Sequence, residues 1–207
     1  MSIRIPFMVK LLGLGVLVGL ASSGIAEDGY ESAEYKVVEK DGNIEIREYP
    51  DLMLASTNTD PDARGRDGSF MRLFGYISGA NEGEQKIAMT TPVFMEAGQA
   101  ESEGKMGFVV PKNVVDSGTP EPKSSSVAIR KREGGRFAVI RFPGRMSKEL
   151  AKENEAKLRT WMESKSLAGE AKAETAGYDA PFTPGPLRRN EVLIRVQQPE
   201  SVEAPGQ

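Results

Sequence analysis

The chain has 207 residues, with 27 basic and 30 acidic side chains and 39% hydrophobic residues, which suits one soluble globular domain. It contains no histidine and no cysteine. Those two zeros exclude disulfides, thiolate nucleophiles, sulfur metal sites, every Ser-His or Cys-His arrangement and the commonest general base.

The first 26 residues read as a signal peptide. Arg4 and Lys10 form a basic start, Leu11–Leu20 is apolar, and Gly24–Ala26 ends in the small residues a signal peptidase accepts. The apolar run is shorter than the ~20 residues of a comfortable transmembrane helix. Cleavage after Ala26 is therefore expected, with an uncleaved membrane anchor as the alternative, and the absence of cysteine excludes a lipoprotein leader. Cleavage leaves 25 basic against 30 acidic residues. That balance speaks against nucleic acid and against an anionic membrane surface as partners. The expected location is periplasmic or secreted.

Residues 27–34 read as a polar lead-in. Tyr35–Lys40 and Ile44–Tyr49 are strands joined by Asp41-Gly42-Asn43, a hairpin turn. Ile44 and Ile46 alternate with Glu45 and Arg47, which predicts one wet face. Leu52–Asn58 is a third strand and Thr59–Gly68 a loop. Ser69–Gly79 reads as a helix, because Phe70, Leu73, Phe74 and Ile77 fall at i, i+3, i+4 and i+7. Asp67 or Ser69 suits its cap, and Gly79 suits the left-handed position past its end. Lys86–Glu96 and Lys105–Pro111 are strands around the turn Ala97–Gly104, with Pro92 marking an edge or a bulge.

After a connector at Asp116–Ser125 the order repeats. Ser126–Arg132 and Phe137–Phe142 are strands, Ser147–Lys165 is a helix, and the segment Tyr178–Val196 ends in a strand. Two halves of similar order favour an antiparallel α+β fold over an alternating parallel sheet. On the second helix Leu150, Leu158, Trp161 and Met162 share a face. Asn154 projects to the middle of that face, where it is either buried and hydrogen-bonded or partly exposed at the edge. Residues 197–207 look disordered.

Little of this is catalytic. Asp60–Gly68 invites comparison with a calcium loop, but Arg64 and Met71 stand where oxygen ligands are required. No Gly-rich phosphate loop with a lysine is present, and no two carboxylates stand out as an acid/base pair. The chain does carry soft apolar residues beside arginines. Met71 and Gly75 lie on the flank of the first helix, with Arg72 a step further round. A glycine inside a helix costs roughly 1 kcal/mol against alanine, which suits close approach to that backbone by a ligand or by a packed neighbour. Three prolines, Pro181, Pro184 and Pro186, stiffen a segment that delivers Arg188 and Arg189 to the last strand. Arg189 and Glu191, two apart on one strand face, are expected to pair within the fold. Arg188 is then the sharper candidate to face a ligand.

These stretches resemble a known family. Lys86–Met95 (KIAMTTPVFM) and Tyr178–Ile194 (YDAPFTPGPLRRNEVLI) are similar to the two signature segments of the SOUL/heme-binding proteins. Tyr35–Tyr49 and Tyr76–Glu82 extend the likeness, which covers 35–196. The resemblance implies a distorted antiparallel β-barrel of two pseudo-symmetric halves flanked by two α-helices. It also implies heme or free porphyrin bound, without turnover, in an apolar groove beside the first helix. Carried onto this chain, Met71, with Phe70 or Phe74, forms the apolar wall, Gly75 lies beside it, and Arg72, Arg188 and Arg189 are the basic residues. Some members ligate iron through histidine. Here methionine or tyrosine would have to do so, and Met71, Met89 and Tyr76 are the nearest. The missing histidine keeps open a binding module for another amphipathic small molecule, and the many carboxylates permit a tetrapyrrole-modifying enzyme.

Overall fold

A computed structural model of the chain describes residues 29–59, 68–98, 104–180 and 182–197. The leader, the Asp60–Asp67 stretch compared with a calcium loop, Pro181 and residues 198–207 lie outside the described residues. In chain order the elements are β1 Glu31–Ser32, β2 Lys36–Asp41, β3 Ile44–Tyr49, β4 Leu52–Thr59, α1 Ser69–Ile77, β5 Thr90–Thr91, β6 Val93–Glu96 and β7 Gly104–Val109. Then follow α2 Lys112–Ser117, β8 Ala128–Arg132, β9 Gly135–Phe142, α3 Lys148–Ser164, β10 Gly169–Gly177 and β11 Asn190–Val196.

Nine strands form one antiparallel sheet in the order β2-β3-β9-β11-β10-β6-β7-β4-β8. The two halves are related by their pairings. Exchanging β3, β4, α1, β6 and β7 with β8, β9, α3, β10 and β11 maps β3–β9 onto β8–β4, β4–β7 onto β9–β11, and β6–β7 onto β10–β11. The β6–β10 ladder maps onto itself.

Curvature comes from two short corners. Pro50 and Asp51 join β3 to β4, and Glu133 and Gly134 join β8 to β9, so one long two-stranded ribbon bends between Tyr49↔Gly135 and Leu52↔Arg132. The ribbon belongs to both ends of the sheet and curls it strongly. Among the described residues no ladder closes the curl, since β2 and β8 remain edges. The expected barrel is therefore an open, strongly curved sheet.

Three cores follow. Tyr49, Leu54, Phe94, Phe137, Val139 and Leu193 fill the inside of the curl. Ile46, Ile140 and Ile194 pack outward under Leu158 and Met162 of α3. Ala55 and Phe108 pack outward under Leu73, Tyr76 and Ile77 of α1.

Local signals explain much of this. Gly42 takes a positive φ in the β2–β3 turn, as does Gly79 just past α1. Ser147 caps α3 by accepting from the Leu150 N–H. Asn154 is buried and donates to the Leu150 carbonyl at 2.8 Å.

Several expectations are corrected. Glu45 and Arg47 are buried, so the wet face of β3 is the inner wall of the curl. The buried face of α1 is Ser69, Leu73, Tyr76 and Ile77, while Phe74 is exposed. At about 100° per residue Phe74 stands about 100° from Leu73, outside the central stripe. Among the described residues the cap position of α1 is Gly68, which offers no side chain, and Ser69 is buried against Met106; Asp67, the other expected cap, lies outside the described residues. Lys86–Met89 is not strand, and Thr91–Pro92 is a cis peptide between β5 and β6. The polar lead-in supplies β1, which pairs in parallel with β5. The helix α2 precedes the expected connector and ends in its first two residues, Asp116 and Ser117, and the alanine- and glutamate-rich β10 was not signalled by strand propensity.

Leu158 is fully buried beneath α3, whereas Leu187 is exposed. Leu158→Ala is expected to lower unfolding free energy by about 2–5 kcal/mol and Leu187→Ala by less than about 0.5 kcal/mol, measured by urea titration.

Candidate functional site

The outer face of α1 is apolar. Met71 is 65% exposed and Phe74 45% exposed. Gly75 lies one turn from Met71, and a Cβ built on it would meet nothing within 4 Å. Bare helix backbone is thus flanked by a thioether and a phenyl ring. Half-buried Phe70 supports that ring: the two stack with centroids 6.2 Å apart and planes 12° apart, and Phe70 meets Phe108 edge-on at 5.3 Å. Arg72 holds the helix to the end of β4. Its Nε donates to Thr57 Oγ1 at 2.9 Å and its Nη2 to the Asn58 carbonyl at 2.6 Å.

The other expected residues lie elsewhere. Met89 is partly buried against the core beneath α1 and lines a cleft with Tyr30 and Lys112. Tyr76 is buried and donates to the Pro120 carbonyl at 2.8 Å. Burial, with Glu121 nearby, pushes its phenol up to about 12. It is therefore not a phenolate donor for this face.

The proline-rich segment belongs to the second half. A 3₁₀ turn spans Gly185–Leu187, the Gly144 N–H donates to the Gly185 carbonyl at 3.0 Å, and the Asn190 amide donates to the Gly144 carbonyl at 2.7 Å. Arg188 donates through Nε to the Thr183 carbonyl at 2.8 Å, within its own turn. Arg189 pairs with Glu191 at 2.8 Å, reaches Tyr35 Oη at 3.3 Å and lies 3.8 Å from the Tyr178 ring centroid.

Glu191 is the centre of a buried cluster of which sequence reasoning foresaw only the Arg189 pair. Arg47, 1% exposed, donates to both Glu191 oxygens, Nη1 to Oε2 at 2.8 Å and Nη2 to Oε1 at 2.9 Å. It also donates to Glu45 at 2.8 Å and to Tyr49 Oη at 3.1 Å. The Tyr178 hydroxyl donates to Glu191 at 2.8 Å. Burial alone would raise the Glu191 carboxyl, but the Arg47 fork and Arg189 overcome it and hold it at about 2. Burial pushes Tyr49 up to about 12 and Tyr178 upward as well. The signal available in sequence was three tyrosines, Tyr35, Tyr49 and Tyr178, near charged strand residues. Nothing local said that they meet.

The profile of the family described as SOUL heme-binding protein matches residues 30–195. Mouse heme-binding protein 2 is 31% identical over 199 residues, covering 92% of this chain and 95% of the relative. Heme-binding protein 1 of Xenopus tropicalis is 30% identical over 175 residues, covering 79% and 91%. The fold is shared with the EcmrR C-terminal domain at TM-score 0.55 and 13% identity, over 75% of this chain and 97% of that one. It is likewise shared with a hydrolase from Listeria innocua at TM-score 0.55 and 13% identity, over 77% and 94%.

The buried cluster makes stability acid-sensitive. Glu191 is held at about 2 in the folded chain, against about 4.3 for an unfolded glutamate. A lowered folded value means that its contribution is complete above the unfolded value and is lost as pH falls toward 2. Wild type is expected to lose on the order of 3 kcal/mol across that window, with the loss much reduced in Glu191→Gln. Arg47→Met removes the two-pronged partner of the buried Glu191 carboxylate, leaving it Arg189 and Tyr178, and is expected to cost about 3 kcal/mol. Urea unfolding at stepped pH measures both.

Proposed function

The chain belongs to the SOUL heme-binding protein family, and from that premise we propose that it is a non-enzymatic binding protein for heme or free porphyrin, held on the outer face of α1. The observation that carries this reading is the open Gly75 between exposed Met71 and Phe74. An exposed apolar patch centred on bare backbone suits a flat, apolar partner. A macrocycle laid along the Met71–Gly75 row would contact helix backbone that any larger residue would cover.

The residues present fit such a group. Phe70 buttresses Phe74 from below, so the wall is stiff. Arg72 adds positive charge beside the patch, which favours an anionic partner. Bound heme would supply an iron centre. With no histidine or cysteine in the chain and Tyr76 turned into the core, the Met71 thioether is the soft donor on this face. Packing and charge then provide the holding energy. Arg189 serves the buried cluster, and Arg188 is a positioning residue of the proline-rich turn.

Absorbance titration of the mature chain with hemin, and fluorescence titration with protoporphyrin, test the reading. Both ligands are expected to bind saturably. Met71→Glu and Gly75→Leu are each expected to weaken binding tenfold or more without lowering Tm. Gly75→Ala is expected to stabilise the ligand-free chain by roughly 1 kcal/mol. Wild-type affinity in Met71→Glu and Gly75→Leu would move the site off α1.

We also propose that residues 1–26 direct export. Amino-terminal sequencing of the protein recovered outside the cytoplasm of its host is expected to begin at Glu27. An intact leader on soluble cytoplasmic protein would overturn this.

A further inference from the structure

The inside of the curl has two polar regions, and they differ. Around Glu191 both carboxylate oxygens are bonded. Near the opposite end of β11, Arg130 and Arg132 project from β8, two apart and so on one face. They span the gap between this edge strand and the middle of the sheet. Arg132, 3% exposed, donates to Glu174 of β10 through Nε at 3.0 Å and Nη2 at 2.6 Å. Arg130 pairs with Glu96 of β6. The rings of Tyr49, Phe94 and Phe137 surround the Arg132 guanidinium, with centroids 5.2, 4.5 and 4.4 Å from Cζ.

Two guanidinium groups are nevertheless left incomplete. Arg132 Nη1 and Arg130 Nε are buried without a hydrogen-bond partner. Unmade buried donors are uncommon, because each forfeits its hydration for nothing. Both arginines line a cavity of about 250 Å³ that Phe137 and Leu193 also line, together with Lys172 and Arg195. The β10 ladder is irregular between Gly169 and Ala173, beside this cavity. Five cationic and four anionic residues line it, and Lys131 also pairs with Asp51 just outside it.

We propose that this cavity binds a small monocarboxylate with a short apolar body. The carboxylate offers acceptors to the β8 guanidinium groups, and the apolar part lies against Phe137 and Leu193. The volume is below the usual range for drug-sized ligands, so a tetrapyrrole does not fit. The site is thus separate from the α1 face.

An amide ¹H–¹⁵N NMR titration of the full chain with sodium butyrate tests the assignment, with butyramide and ionic-strength-matched sodium chloride as controls. Butyrate is expected to give saturable shifts at Arg130, Arg132, Lys172 and Leu193. Butyramide is expected to bind at least tenfold more weakly. Arg130→Gln is expected to weaken butyrate about tenfold while leaving hemin affinity and the folded spectrum unchanged. Absent saturation at these residues, or an equal response to butyramide or chloride, would leave a water-filled cavity and overturn the proposal.

Discussion

Arg47 of β3 and Glu191 of β11 meet across the intervening strand β9, with both carboxylate oxygens taken by one guanidinium. A buried ion pair of this kind stabilises only if its remaining hydrogen-bonding capacity is met. Here Glu45, Tyr49, Tyr178 and Arg189 meet it. The consequence is register. Slipping β11 by one residue would turn Glu191 into the apolar core beneath α3 and leave Arg47 unpaired inside the curl. The cluster therefore commits β3, β11 and the end of the proline-rich segment to one arrangement, and the two outer cores form on that frame.

The sheet's near symmetry then separates tasks. Both helices pack on equivalent pairs of strands, α1 on β4 and β7 and α3 on β9 and β11. Their outer faces differ. The face of α3 is charged, with ion pairs Lys157–Glu153 and Arg159–Glu155, and water satisfies it. The face of α1 carries Met71, Phe74 and a bare Gly75. Equivalent positions in one architecture thus carry a solvated surface in one half and an apolar platform in the other.

Much of the fold was legible because its signals are local. The Asp41-Gly42-Asn43 turn, the Ser147 cap, the Gly79 helix end and the strand-strand-helix order of each half all stand within a few residues of what they specify. The Arg189–Glu191 pair was legible for the same reason, since two residues apart on a strand share a face. The partner of Arg47 was not, because Glu191 lies 144 positions away. β10 was hidden by its composition: Gly169–Gly177 is held as a strand by neighbours on both sides and not by propensity.

By itself the sequence determined the available chemistry. A chain without histidine or cysteine cannot ligate iron in the commonest ways, and its motifs already resembled those of the family. It determined which residues share a face, because helices and strands have fixed periods. Only the tertiary structure decided which face is inside. Alternation in β3 separates Ile44 and Ile46 from Glu45 and Arg47 without saying which set meets solvent. The answer depended on the curl, which gives the strand two buried sides and supplies, from β11, the carboxylate that makes burying Arg47 tolerable.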